Sequence, residues 1–304
     1  MVSGPQTRLL STSHGTNREA FSAADWVLFL SLVLIWGSSF LFIAIGLDHF
    51  HPGLVTFLRV GFGAATLAMI PRARRSPVAR EDWPRIGVLG VIWIALPLTF
   101  FPIAQQWINS AVAGMLNGAM PIFTALVATI LLKELPGRRQ SLGLIIGFAG
   151  IAAVSLPSAE EGGTAVIGVL LVLAASICYA FATNLVAPLQ QRYGSLPVLA
   201  RVQWIAAGLV APWGLIGLGD SRFAWSSLAA TLAVGVLGTG LAFVLMGTLT
   251  GSVGPTRASF ITYMIPVVAL GLGVLFRDDQ VTLIAVIGVF AVIAGAFLAS
   301  RREL

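Results

Sequence analysis

The chain has 304 residues, of which 57% are hydrophobic and 10% charged, with a formal net charge of +6. A soluble globular domain carries about 25% charged residues, so this composition excludes one and makes the bilayer the solvent. The basic excess sits in short loops between apolar stretches, where it sets membrane topology and does not point to nucleic acid.

In chain order, residues 1–25 are a polar tail rich in Ser, Thr and Gly, without the apolar core of a signal peptide. Ten apolar spans are then predicted, at 26–46, 52–70, 86–107, 111–132, 141–157, 165–187, 196–218, 227–248, 255–276 and 281–300. Each is near the ~20 residues that cross a ~30 Å hydrocarbon core at about 1.5 Å per residue. The expected fold class is therefore all-α integral membrane, with ten transmembrane helices. Loops on one side carry thirteen Lys and Arg, among them Arg72, Arg75, Arg138 and Arg139, whereas the other side carries only Arg222 and Arg277. That asymmetry predicts both termini in the cytoplasm.

The second half of the chain repeats the first. Shifted by 145 positions, Pro121 falls on Pro266, Glu134 on Asp279, Gly143 on Gly288 and Gly150 on Gly295. Earlier spans echo more faintly, Trp36-Gly37-Ser38 against Tyr179-Ala180-Phe181 and Arg59 against Arg201. Five spans per repeat is an odd number, so the repeats at 26–158 and 165–300 enter the membrane in opposite orientations. No length remains for a separate soluble domain.

The string WGSSFLFIAIG in span 1, FLRVGFGAATLAMI in span 2, the Met-Pro span ending LLKE and the run from Gly238 to Phe276 resemble the drug/metabolite transporter superfamily. More narrowly they resemble its ten-span branch with two EamA repeats, over residues 26–299. The resemblance implies an alternating-access carrier whose central cavity is lined by spans 1, 3, 4, 6, 8 and 9, with spans 2 and 7 outside the cavity wall. It further implies an exporter in the bacterial inner membrane, in a branch that serves amino acids, aromatic ones included, other metabolites and toxic compounds. One departure is visible: Arg277-Asp278-Asp279 stands where the family has an apolar residue, Gly and Glu.

The chain offers little for covalent or metal chemistry. Cys178 is its one cysteine, His14, His49 and His51 its histidines, and no Asp or Glu lies in the middle of a span. A hydrolase working in the bilayer needs a Ser-His pair, a metal or paired carboxylates at depth, so the sequence predicts no enzyme, no cofactor and no metal. The partners expected are a small-molecule substrate and the lipid bilayer. The missing carboxylate also argues against proton-coupled cation transport. Arg59 and Arg201 are the deep charges; each reads either as an anchor for a substrate carboxylate or as a buried arginine that caps carbonyls or snorkels.

Trp36, Trp93, Tyr179 and Tyr263 lie deep in spans that the resemblance places around the cavity, where flat apolar walls suit a bulky substrate. Ser38 and Ser39, Gln105 and Gln106, and Thr239 are candidate hydrogen-bonding groups. Pro121 and Pro266 stand near the middle of spans 4 and 9 and free the carbonyls of Asn117 and Thr262, because proline has no N–H to offer them. Interrupted segments at matching places of two inverted halves point to a binding site. The expected substrate-binding set is Trp36, Ser39, Trp93, Asn117, Tyr179, Thr262 and Tyr263, with Pro121 and Pro266 as hinges. The function expected is export of small amphipathic metabolites such as amino acids; the alternative is efflux of lipophilic or cationic toxic compounds.

Overall fold

Ser22 opens the first helix with a reciprocal cap: its hydroxyl accepts the Asp25 N–H while the Asp25 carboxylate accepts the Ser22 N–H. Two of the orphan donors at the helix N-terminus are thereby satisfied before the chain becomes wholly apolar. The computed structural model describes residues 22–75, 77–132, 137–253, 258 and 261–299. Glu134 and most of the polar tail lie outside the described residues.

Helix α1 is Ala23–Leu47. Helix α2, Pro52–Ala68, starts on a first-turn proline, with the His51 ring accepting the Gly53 N–H. After the short α3, Pro71–Arg75, a longer run combines α4, Trp83–Leu89, a π-helical segment Gly90–Ala95 and α5, Leu96–Ala104. Helices α6, Ser110–Asn117, and α7, Met120–Leu132, follow, then α8, Arg138–Glu161, α9, Gly163–Tyr193, and α10, Ser195–Ile216. A second composite run joins α11, Trp225–Ala233, a π-helical segment Val234–Leu241 and α12, Ala242–Val253. Helices α13, Ile261–Arg277, and α14, Leu283–Ala299, complete the fold.

No strand occurs among the described residues. Seven helical runs are long and apolar enough to cross a membrane, and α2, α13 and α14 are shorter apolar helices. The molecule is an all-α membrane protein. Bulky apolar side chains such as Leu34, Ile145, Ile216 and Phe290 are exposed, as a lipid-facing surface requires.

Single glycines separate α8 from α9 and α9 from α10. Gly162 has φ +117° and Gly194 φ +81°, conformations that side chains with a Cβ rarely adopt. Glycine also sets the packing of α8 on α14. A Cβ on Gly150 would lie 2.7 Å from the Gly288 carbonyl oxygen, and one on Gly295 would lie 2.6 Å from that of Gly143. These two contacts exchange with each other under the 145-residue shift. In lipid, association rests on such close backbone approach, because apolar burial is no longer a gain.

Candidate functional site

Two aromatic groups meet inside the bundle. Phe243 of α12 presents its ring to Trp36 of α1, centroids 5.8 Å apart, and to Trp93 of the first π-helical segment, 5.5 Å apart, both edge to face. Phe101 of α5 stacks on Tyr179 of α9 at 6.3 Å and meets Phe40 of α1 at 5.4 Å. The predicted Trp36 and Trp93 are thus joined through Phe243, Tyr179 belongs to the second group with Phe101 and Phe40, and each of the three keeps some accessible surface.

Beside these rings runs a polar network centred on the second π-helical segment. Trp36 Nε1–H donates to the Gly238 carbonyl at 3.0 Å. Next along the chain, the fully buried Thr239 donates its hydroxyl to the Val234 carbonyl at 3.1 Å, the i−5 partner that π geometry places there. Its Oγ1 accepts Arg59 Nε–H at 2.9 Å, and its carbonyl accepts the Gln203 amide. Arg59 Nη1 and Gln203 Oε1 are buried without a hydrogen-bond partner. Arg59 therefore points into the bundle from α2, which the resemblance placed outside the cavity wall. Arg201 behaves differently: its Nη1 donates to the Pro197 carbonyl of its own helix at 2.8 Å. Ser38 and Ser39 both donate to the Ile35 carbonyl, at 3.1 and 2.9 Å, so Ser39 satisfies its own helix while its oxygen lies beside Gly238.

The expected prolines have different surroundings. Helix α6 ends at Asn117, the chain turns tightly through Gly118 and Ala119, and Pro121 falls in the first turn of α7. Pro266 lies inside the continuous α13. The two places touch: a Cβ on Gly118 would sit 2.5 Å from Pro266 Cγ. Asn117 is buried at 8% exposure, and its Oδ1 has no hydrogen-bond partner. Thr262 is half-buried. Tyr263, a residue of the expected set, donates its hydroxyl to the Ala296 carbonyl of α14 at 3.1 Å and sets its ring edge-on to Phe297. It packs α13 against α14.

At the C-terminal end of α1 a pocket of about 770 Å³ opens, lined among others by Asp48, His49, His51, Gln105, Arg222 and Arg277. Arg277 closes a bidentate pair on Asp48, Nη1 to Oδ2 at 2.8 Å and Nη2 to Oδ1 at 2.9 Å. Asp278 takes φ +52°, which turns the chain back after α13. Asp279 then accepts the Ser110 hydroxyl at 2.6 Å and the Ala111 N–H at 2.9 Å, a carboxylate on the N-terminus of α6. The Arg-Asp-Asp sequence that departs from the family pattern thus ties the end of α13 to both α1 and α6. Gln105 contributes a side-chain amide whose nitrogen and oxygen are both unpartnered.

The other end of α1 is held as well. Ser252 of α12 donates to Asp25 at 2.7 Å. Nearby in sequence to the start of the α4–α5 run, Asp82 accepts Arg192 Nη1 at 2.8 Å and the Tyr193 hydroxyl at 2.6 Å. The hydrogen bond that Arg192 donates to the Glu81 carboxylate raises its pKa, and the bond to the Asp82 carboxylate raises that of the Tyr193 phenol.

This architecture has known counterparts. The model of the EamA-like transporter family matches the chain twice, over residues 25–156 and 166–301. The chain belongs to that family. It is a membrane transporter. Among its relatives is the probable terminal-alkyne amino-acid exporter of Streptantibioticus cattleyicolor, 28% identical over 93% of this chain and 95% of the relative. The uncharacterized inner membrane transporter YedA of Escherichia coli K12 is 29% identical over 80% of this chain and 79% of its own. A solved crystal structure superposes with a TM-score of 0.62 at 22% identity, over 92% of this chain and 99% of that one, a likeness of fold.

Phe40, Phe101 and Phe243, Gln203 and the Arg277–Asp48 pair were not among the residues expected at the site. Phenylalanine is common in any apolar span, so Phe243 carries no mark in the sequence. Gln203 carries one: a side-chain amide inside a membrane span needs partners within the protein.

Proposed function

We propose that this transporter is an alternating-access exporter of small amphipathic metabolites, amino acids among them, working in a bacterial inner membrane with both termini cytoplasmic. In this reading α2, α13 and α14 cross the membrane together with the seven longer runs, which makes ten spans in two inverted repeats, 26–158 and 165–300. The observation that carries the substrate class is the pair of aromatic groups inside the bundle, Trp36 and Trp93 on Phe243 and Tyr179 on Phe101. Such rings offer flat apolar contact, and the indole N–H and buried amides beside them offer polar ends. The relative named as an amino-acid exporter supports both the substrate class and the direction.

Asn117, Ser39 and Thr262 complete the proposed site at the turn between α6 and α7 and along the neighbouring helices, with Pro121 and Pro266 as hinges. The Arg277–Asp48 pair would close the extracytoplasmic mouth, since it bridges the end of α1 in the first repeat to the end of α13 in the second.

Counterflow in proteoliposomes tests the reading. Purified protein is expected to exchange labelled phenylalanine or threonine faster than a quaternary ammonium dye, with saturation and trans-stimulation. Transport of the dye alone would assign the efflux function instead, and flux without trans-stimulation would make the protein a channel.

A further inference from the structure

We propose that Arg59 binds the carboxylate of the transported substrate, so that this carrier takes anions and zwitterions bearing a carboxylate and rejects simple cations; the inference rests on the carrier reading above. Arg59 is the eighth of seventeen residues in α2, more than ~10 Å from either helix end at about 1.5 Å per residue. At 6% exposure it does not snorkel to an interface. Three ion-pair contacts occur among the described residues; they belong to Arg192 and Arg277, and none reaches Arg59. Among the described residues the guanidinium is thus a buried cation without a counter-ion, an arrangement that costs far more than a neutral side chain and persists where it is used.

Its setting is that of a binding group. Nε is anchored on Thr239 Oγ1, whose own proton is committed to the Val234 carbonyl, so the plane of the guanidinium is held. Nη1 has no partner. Close backbone approach builds the place: a Cβ on Gly235 would lie 2.9 Å from the Arg59 carbonyl oxygen, and one on Gly63 would lie 2.8 Å from Thr239 Cγ2. A carboxylate offers two oxygens to one guanidinium and supplies the missing charge in the same contact. The apolar part of such a substrate has the rings at hand. Trp36 bonds Gly238, the neighbour of Thr239. Arg201, its sequence echo, bonds its own helix and does not share this position.

The test compares matched ligands on purified protein in nanodiscs: phenylacetate, its uncharged isostere phenylacetamide, and phenethylammonium, each titrated against the thermal midpoint. Phenylacetate is expected to raise the midpoint of the wild type, with the amide and the ammonium at least about tenfold weaker, as loss of a charge-assisted pair requires. Arg59→Gln should abolish the discrimination between acid and amide while keeping the ligand-free midpoint, and Arg59→Lys should keep part of it. Equal shifts for acid and amide in the wild type, no shift with any of the three, or unchanged discrimination in Arg59→Gln overturns the proposal. If Arg59→Gln does not fold, the acid–amide comparison on the wild type decides alone. Counterflow run in parallel separates the two readings. Acid-selective binding without transport would overturn the carrier and leave the Arg59 site, whereas Arg59-independent transport of the amide or of a quaternary ammonium dye would leave the carrier and overturn the site.

Discussion

Pro121 and Pro266 occupy the same register of the repeat, yet one marks a break between helices and the other sits inside a helix. Before Pro121 stand Asn117 and Gly118; before Pro266 stand Thr262 and Tyr263. Glycine is about 1 kcal/mol poorer than alanine in a helix interior, and asparagine prefers to bond nearby backbone, so α6 ends there. Helix α13 is held through its proline by packing: the Tyr263 hydroxyl fastens it to α14, and Pro266 seats its ring against Gly118. A proline in a membrane helix is therefore only an opportunity for a break. The residues one turn earlier, and what they touch, decide whether it is taken.

This contrast can be broken most severely at the contact itself. Gly118→Ala puts a Cβ 2.5 Å from Pro266 Cγ and is expected to cost ~1–3 kcal/mol, seen as a lower melting temperature in detergent. Pro266→Ala removes that Cγ, so the double variant should recover most of the loss; a cycle with no coupling would show that the two helices do not meet there. Next in size is Asn117→Ala. Because Asn117 Oδ1 has no partner in the protein, folding should be unharmed, while substrate affinity falls by about 1 kcal/mol, five- to tenfold. Thr262→Ala, at the matching register of the intact helix, should do less, and equal effects in binding titrations would erase the difference between the repeats. The smallest change separates the prolines as hinges. Pro266→Ala restores an N–H to the freed Thr262 carbonyl and should slow turnover several-fold with little change in affinity. Pro121→Ala should slow counterflow less than Pro266→Ala does, since a first-turn proline sacrifices no helix bond and the Asn117–Gly118 turn keeps the break open.

Much of the proposed site could be read before the fold was known, because the bilayer penalises the features that mark it. Deep prolines, an asparagine beside one of them, and tryptophans away from the interfaces are conspicuous in an apolar chain. The direction of each side chain was not readable. Tyr263 and Tyr179 both lie inside apolar spans, yet one bonds a neighbouring helix backbone and the other stacks on Phe101. Arg59 and Arg201 echo each other in sequence, yet Arg59 bonds Thr239 of another helical run and leaves an amino group unpartnered, whereas Arg201 bonds the Pro197 carbonyl of its own helix.

Composition, the lengths of the apolar runs and the 145-residue repeat determined that the chain is an all-helical membrane protein of a recognisable family. Those signals are local, since each span must satisfy its own backbone and exceed a fixed thickness whatever its neighbours do. The inward face of each helix, the π-helical segments at Gly90–Ala95 and Val234–Leu241, and the meeting of Arg59 with Thr239 were decided only in three dimensions. In water an amphipathic stripe announces which face is buried, but in lipid both faces are apolar and the stripe is missing. Which side chains turn inward is then settled by where glycines let two backbones approach and where a polar group finds its partner.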